Sequence, residues 1–231
     1  TGATTAAITV SPVITTTYTV TVTGANGCTK TAAATVVVTN CPSINMVKNF
    51  VGAVPTGNGT YNVTYSVVVT NTGTGSGTYG LKDTPLFDND VTINSGSYSG
   101  QASGSMNTSG STTLATNAAI AAGATHNYTI TFNVSLNLAP GSADGGDNIY
   151  TPCQVPGNGP GSGPAQGLYN RAELDSDNDG DTDITDDACG DLPNITMRKD
   201  FGSAVPNGNG TYTVTYTVTV SNNGGASGAY T

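Results

Sequence analysis

Apolar and polar residues alternate with a period of two through much of the chain. Tyr61, Val63, Tyr65, Val67 and Val69 are interleaved with Asn62, Thr64, Ser66 and Thr70, and Tyr128, Ile130, Phe132 and Val134 with Thr129, Thr131 and Asn133. A strand turns successive side chains to opposite faces, so each pattern predicts an antiparallel strand with one face in a core and the other in water. Nearer the start, ITV at 8–10, TYTVTVT at 17–23 and TAAATVVVT at 31–39 surround the turn Gly24-Ala25-Asn26-Gly27. These predict two or three strands with a hairpin, Tyr18, Val20 and Val22 facing inward. Pro55-Thr56-Gly57-Asn58-Gly59, Asn71-Thr72-Gly73 and Ala121-Ala122-Gly123 carry turn chemistry between later strands. The Gly/Pro-rich stretch 144–167 has no strand pattern and reads as a long loop or insertion.

The pattern also repeats. Residues 44–79 align without a gap onto 195–230, with 22 of 36 positions identical at an offset of 151. That offset is one domain's worth of chain and far exceeds a solenoid period, so the expected organisation is beads on a string. The predicted fold is all-β, as tandem immunoglobulin-like antiparallel β-sandwiches. Residues 1–40 are read as the C-terminal part of one module, 41–192 as a complete domain, and 193–231 as the N-terminal part of its next copy.

Composition fits this picture: among 231 residues are 31 Gly and 40 Thr, the residues of turns and pleated surfaces. Apolar runs are only a few residues long, so none reaches the ~20 residues of a membrane span. No signal peptide is visible; a secreted protein would have lost it or carry it outside this chain. The net charge of −9 makes nucleic acid a poor partner. Eight of the fifteen acidic residues lie between Asp175 and Asp191, so the charge is one local feature.

That feature has a spacing. Asp175, Asp177, Asp179, Asp181, Asp183 and Asp186, with Gly180 at the sixth position, place oxygen ligands as a calcium loop does, since a hard cation wants six to eight oxygens and Gly permits the sharp turn. Asp in place of Glu at the twelfth position, Thr182 at the eighth and no flanking helices make it resemble the loops of thrombospondin-type and dockerin-like repeats. The alternative is a solvated acidic linker, against which carboxylate repulsion argues. Its place between the beads suggests that calcium stiffens a junction.

The succession VKNF, YNVTYSVVVTNTGTGSGTYGLKDTP, AAIAAGATHNYTITFNV and YNRAEL resembles the conserved-repeat domain of bacterial surface proteins, domain of unknown function eleven, over about 43–190 and again from about 194. Residues 1–40 resemble the C-terminal part of immunoglobulin-like modules in large secreted bacterial proteins. These resemblances imply an extracellular or cell-surface bacterial protein, multidomain and non-catalytic, serving as a stalk or adhesin.

Within such a sandwich, Lys48 on the first strand, Asn170 on the last and Asp83 between them resemble the residues that form intramolecular isopeptide bonds in some bacterial surface fibres, with Glu173 as an alternative carboxylate. Lys199 repeats Lys48. The alternative is an exposed lysine and an asparagine capping a turn. Cys28, Cys41, Cys153 and Cys189 lack zinc spacing and, in a secreted context, predict disulfides. Three connectivities are open; Cys153–Cys189 is favoured, with Cys28 and Cys41 paired together or to parts outside the chain.

His126, the single histidine, has no catalytic companions in the pattern, and no convergent polar triad argues for an enzyme. Two functions remain. One is a structural segment of a long extracellular fibre or stalk, rigidified by calcium and by cross-links, with neighbouring repeats or other copies of itself as partners. The other is an adhesin module that binds a ligand or surface glycan through the 144–167 loop.

Overall fold

The computed structural model describes residues 7–138, 149–154, 157–158 and 165–230. Among them the chain is all-β without a helix, and every paired strand is antiparallel. The strands run in chain order as β1 (Thr16–Thr23), β2 (Thr29–Val36), β3 (Ile44–Gly57), β4 (Thr60–Asn71), β5 (Gly77–Pro85), β6 (Val91–Gly100) and β7 (Gly104–Ser105). They continue as β8 (Thr112–Ile120), β9 (Thr125–Leu136), β10 (Gly157–Asn158), β11 (Asn170–Asp175), β12 (Ile184–Cys189), β13 (Ile195–Pro206) and β14 (Tyr212–Asn222).

Two five-stranded sheets, ordered β3-β4-β9-β6-β7 and β10-β12-β11-β5-β8, share one core. The alternation explains it. Val63, Tyr65, Val67 and Val69 of β4 and Tyr128, Ile130, Phe132 and Val134 of β9 are all buried, as are Tyr79 and Leu81 of β5 and Ala172 and Leu174 of β11. Each large apolar side chain so buried contributes about 1.5–3 kcal/mol. Between β3 and β4 the chain reverses through Gly57, Asn58 and Gly59, all at positive φ (96°, 53° and 76°), which glycine tolerates without a Cβ clash.

The flanking segments form two-stranded ribbons, β1-β2 and β13-β14. Val20 and Val22, expected to face a core, are largely exposed, because no second layer among the described residues lies over that ribbon. The β13-β14 ribbon follows the core directly: Leu192 is fully buried within it and β13 starts at Ile195.

A shared clamp marks the start of each repeated hairpin. Asn71 Oδ1 accepts from the backbone N–H of Ser43 and Gly73 while its Nδ2 donates to Gly75 O. At an offset of 151, Asn222 Oδ1 accepts from Asn194 N–H and Gly224 N–H while its Nδ2 donates to Ala226 O. The loop after the hairpin must pass close to the incoming strand, so a Cβ on Gly73 would stand 2.4 Å from Cys41 O, and one on Gly224 2.2 Å from Leu192 O.

Candidate functional site

Lys48 points inward because β3 alternates without error: Ile44, Met46 and Lys48 are buried, Asn45 and Val47 exposed. On the facing sheet, Tyr79, Leu81 and Asp83 form the inward row of β5, and Asn170, Ala172 and Leu174 that of β11. Asp83 pairs across the ladder with Ala172, and Asn170 with Pro85, so Asp83 and Asn170 are diagonal neighbours on one face. The structure thus brings the three predicted residues together, each 0% exposed.

Lys48 Nζ donates to Asp83 Oδ2 and lies 5.0 Å from the centre of the Tyr65 ring. Asp83 Oδ1 and both amide atoms of Asn170 lack a hydrogen bond of ordinary geometry, although Asn170 is near enough to lower the Asp83 pKa. Burial pushes the Lys48 amine below its usual range despite the attraction of Asp83, and pushes the Asp83 carboxyl up despite Lys48. Desolvation disfavours both charged forms, so the pair is poised toward neutral amine and carboxylic acid. This burial replaces the expectation of an exposed lysine. Glu173, one residue beyond Ala172, faces the other side of β11 opposite Lys82, which removes it as the alternative carboxylate. Asn170 lies on the penultimate strand of this core, with β12 following it.

The acidic loop is the turn between β11 and β12. Asp175, Asp177 and Asp183 each offer a carboxylate oxygen within 4.8 Å of the others, an all-oxygen donor set that suits a hard cation. Asp175 gathers the turn by accepting from the N–H groups of Asn178 and Gly180, at 2.5 and 2.9 Å. Asp183 accepts from Ser176 N and Oγ, both at 2.7 Å, and these bonds hold its carboxyl below the usual value. Asp179 and Asp181 line the adjoining cleft instead. Asp186 is not in the loop: it lies on β12, where Oδ2 accepts from Lys48 N–H at 2.7 Å. The expected place at a junction is also corrected. Because β12 runs back along β11, the loop stands at the far end of that hairpin from the Gly190–Asn194 passage into β13.

Cys153 and Cys189 form a disulfide, the favoured pairing, while Cys28 and Cys41 are exposed and free. Just over half of the 144–167 stretch lies outside the described residues. His126 accepts or donates through Nδ1 to Tyr79 Oη at 2.8 Å, and Tyr79 Oη meets Tyr128 Oη at 2.7 Å. An open cleft of about 360 Å³ is lined by Lys82, Thr113, Asn117, Glu173, Asp175 and Asp181, among others.

Two features had no clear sequence signal. Asp191 is buried, its Oδ1 accepting from Tyr150 Oη and Cys153 N–H, contacts that join residues about forty positions apart. Tyr65 Oη donates to Leu168 O across the core. No family model, curated protein or solved structure matches the chain in comparisons with known proteins.

Proposed function

We propose that the chain is a structural segment of a long, secreted bacterial fibre or cell-surface stalk made of tandem immunoglobulin-like sandwiches, with the C-terminal part of one at 1–40, a complete one at 41–192 and the N-terminal part of the next at 193–231. The observation that carries this reading is the repeated junction. Asn222 rebuilds at the start of the second hairpin the clamp that Asn71 makes at the start of the first, and Leu192, the last core residue, leads into the next strand within three positions. A chain that passes force from one bead to the next needs such short, hydrogen-bonded joints, whereas a flexible linker would swing.

Calcium is part of the proposal. Asp175, Asp177 and Asp183 would hold it, with Asp179 and Asp181 beside them, and the ion would neutralise repulsion in the β11–β12 turn and so stiffen the module rather than the joint. Other copies of the chain or neighbouring repeats are the proposed partners. A glycan-binding reading draws on the polar cleft beside the loop, where Lys82, Glu173 and Asn117 offer donors and acceptors.

Pulling the full chain by its two ends with optical tweezers tests the reading. Resistance over the central core that rises with calcium, and falls to the calcium-free value in Asp183→Ala, is the expected result. At a calcium concentration a hundredfold above Kd the ion should add about 2.7 kcal/mol to folding stability. A core that yields at low force would overturn the load-bearing reading, and specific retention on a glycan array would replace it with the adhesin.

A further inference from the structure

We propose that the fold joins Lys48 to Asn170 through an isopeptide bond between Lys48 Nζ and Asn170 Cγ, with Asp83 carrying the protons. The inference rests on the geometry of the core and stands whether or not the chain is a fibre.

Three polar side chains fill one dry place between the sheets. A buried amide with neither its N–H nor its C=O satisfied is rare, and leaving such a group unpaired costs about 1–3 kcal/mol. Asn170 makes no hydrogen bond of ordinary geometry with either amide atom, and Asp83 none with one carboxyl oxygen, the approach of Asn170 to Asp83 being all that the amide has. Joining Lys48 to Asn170 removes the primary amine and the amide NH2 in one step, so the reaction also relieves the packing.

The reactive forms are those that burial favours. Burial shifts Lys48 toward the neutral amine, whose Nζ lone pair a nucleophile needs, and Asp83 toward the protonated carboxyl, which has a proton to give. Lys48 is held by β3 on one sheet, Asp83 and Asn170 by the β5–β11 ladder on the other, so the groups meet at high effective concentration without water.

The atoms balance. The Nζ lone pair forms a bond to Cγ as the Asp83 proton moves to the amide oxygen. Asp83, now a carboxylate, takes the surplus proton from Nζ and hands it to Nδ2. The Cγ–Nδ2 bond breaks, ammonia leaves, and the proton on the oxygen returns to Asp83. Nothing is oxidised or reduced and no co-reactant is needed. The product ties β3 to β11, so force entering at one end bypasses the chain between residues 48 and 170.

Lys199 is an internal control. It holds the register of Lys48, opposite Val218 as Lys48 is opposite Val67, and lies 4.4 Å from the Tyr216 ring centre, but it is exposed and has no partners equivalent to Asp83 and Asn170 among the described residues.

The test is an intact mass of the full chain, reduced and denatured, followed by tryptic mapping. The expected mass is short by one ammonia, with a branched peptide in which cleavage after Lys48 fails and the segment ending at Lys82 is bonded to the segment ending at Arg171. Branching separates this from succinimides at the Asn-Gly pairs, which also shed ammonia but join no segments. Lys199→Met should keep the branch. Lys48→Met and Asn170→Ala should restore the full mass, and Asp83→Asn should also show it while circular dichroism still reports a folded β chain. Full mass in the wild type overturns the proposal. So does a loss of water with the branch at Asp83, which would make the carboxyl the electrophile.

Discussion

The β3–β4 and β13–β14 hairpins are nearly one sequence in two surroundings. Both pair in the same register as far as Pro55 and Pro206, with the same slip between Phe50 and Gly52 in one and Phe201 and Ser203 in the other; the first adds a second slip between Pro55 and Gly57. Both set a phenylalanine edge-on to a tyrosine, Phe50 to Tyr65 at 5.6 Å and Phe201 to Tyr216 at 5.9 Å. Burial divides them. Met46 is 4% exposed and Met197 72%; Tyr65 is 0% exposed and Tyr216 52%. Strand, bulge and ring contact therefore come from the hairpin's own residues, whereas the burial of Lys48 comes from the sheet laid over it.

Truncating the tyrosines breaks the comparison most sharply. Tyr65→Ala should cost about 3–5 kcal/mol in urea unfolding, as for other buried aromatic side chains. Tyr216→Ala should stay within about 0.5 kcal/mol, as for an exposed position. Equal losses would mean that the second ribbon is covered in solution.

The covering sheet is the next target. The Cys153–Cys189 disulfide spans 36 residues and ties the end of β12 to the segment before β10. Replacing both cysteines with Ser should cost about 2–4 kcal/mol. Cys28→Ser with Cys41→Ser should leave the unfolding midpoint unchanged, because both thiols are exposed and unpaired.

A pH-dependent effect is expected where the repeats themselves differ, with Asn40 standing where the second copy has Asp191. Burial raises the Asp191 carboxyl above its ordinary value near 3.8, against the N–H of Cys153 and the O–H of Tyr150. The folded state thus binds this proton more tightly than the unfolded chain. Its contribution is present at low pH and is lost as pH rises through the folded value. Measured against Asp191→Asn, wild-type stability should fall from acid toward neutral pH; a rise would reverse the assignment.

Much of the fold was legible because a half-buried strand writes its two faces into alternate positions, as β4 and β9 do. The same reading failed for Val20 and Val22, since alternation records which face is apolar and says nothing of whether a second layer covers it. In the site, Lys48, Asp83 and Asn170 could be named as residue types on separate strands. The choice of Asp83 over Glu173 needed the pleat of β11, because adjacent residues on a strand face opposite ways. Spacing also placed Asp186 in the acidic loop, where the strand pairing of β12 withdraws it.

By itself the sequence determined what is local or periodic: the strands, their turns, the repeat at 151 residues, and the acidic turn. Only the tertiary structure decided which side chains lost water. A charge on Lys48 is ordinary in a solvated hairpin and costly between two sheets, and that difference depends on strands more than a hundred residues away.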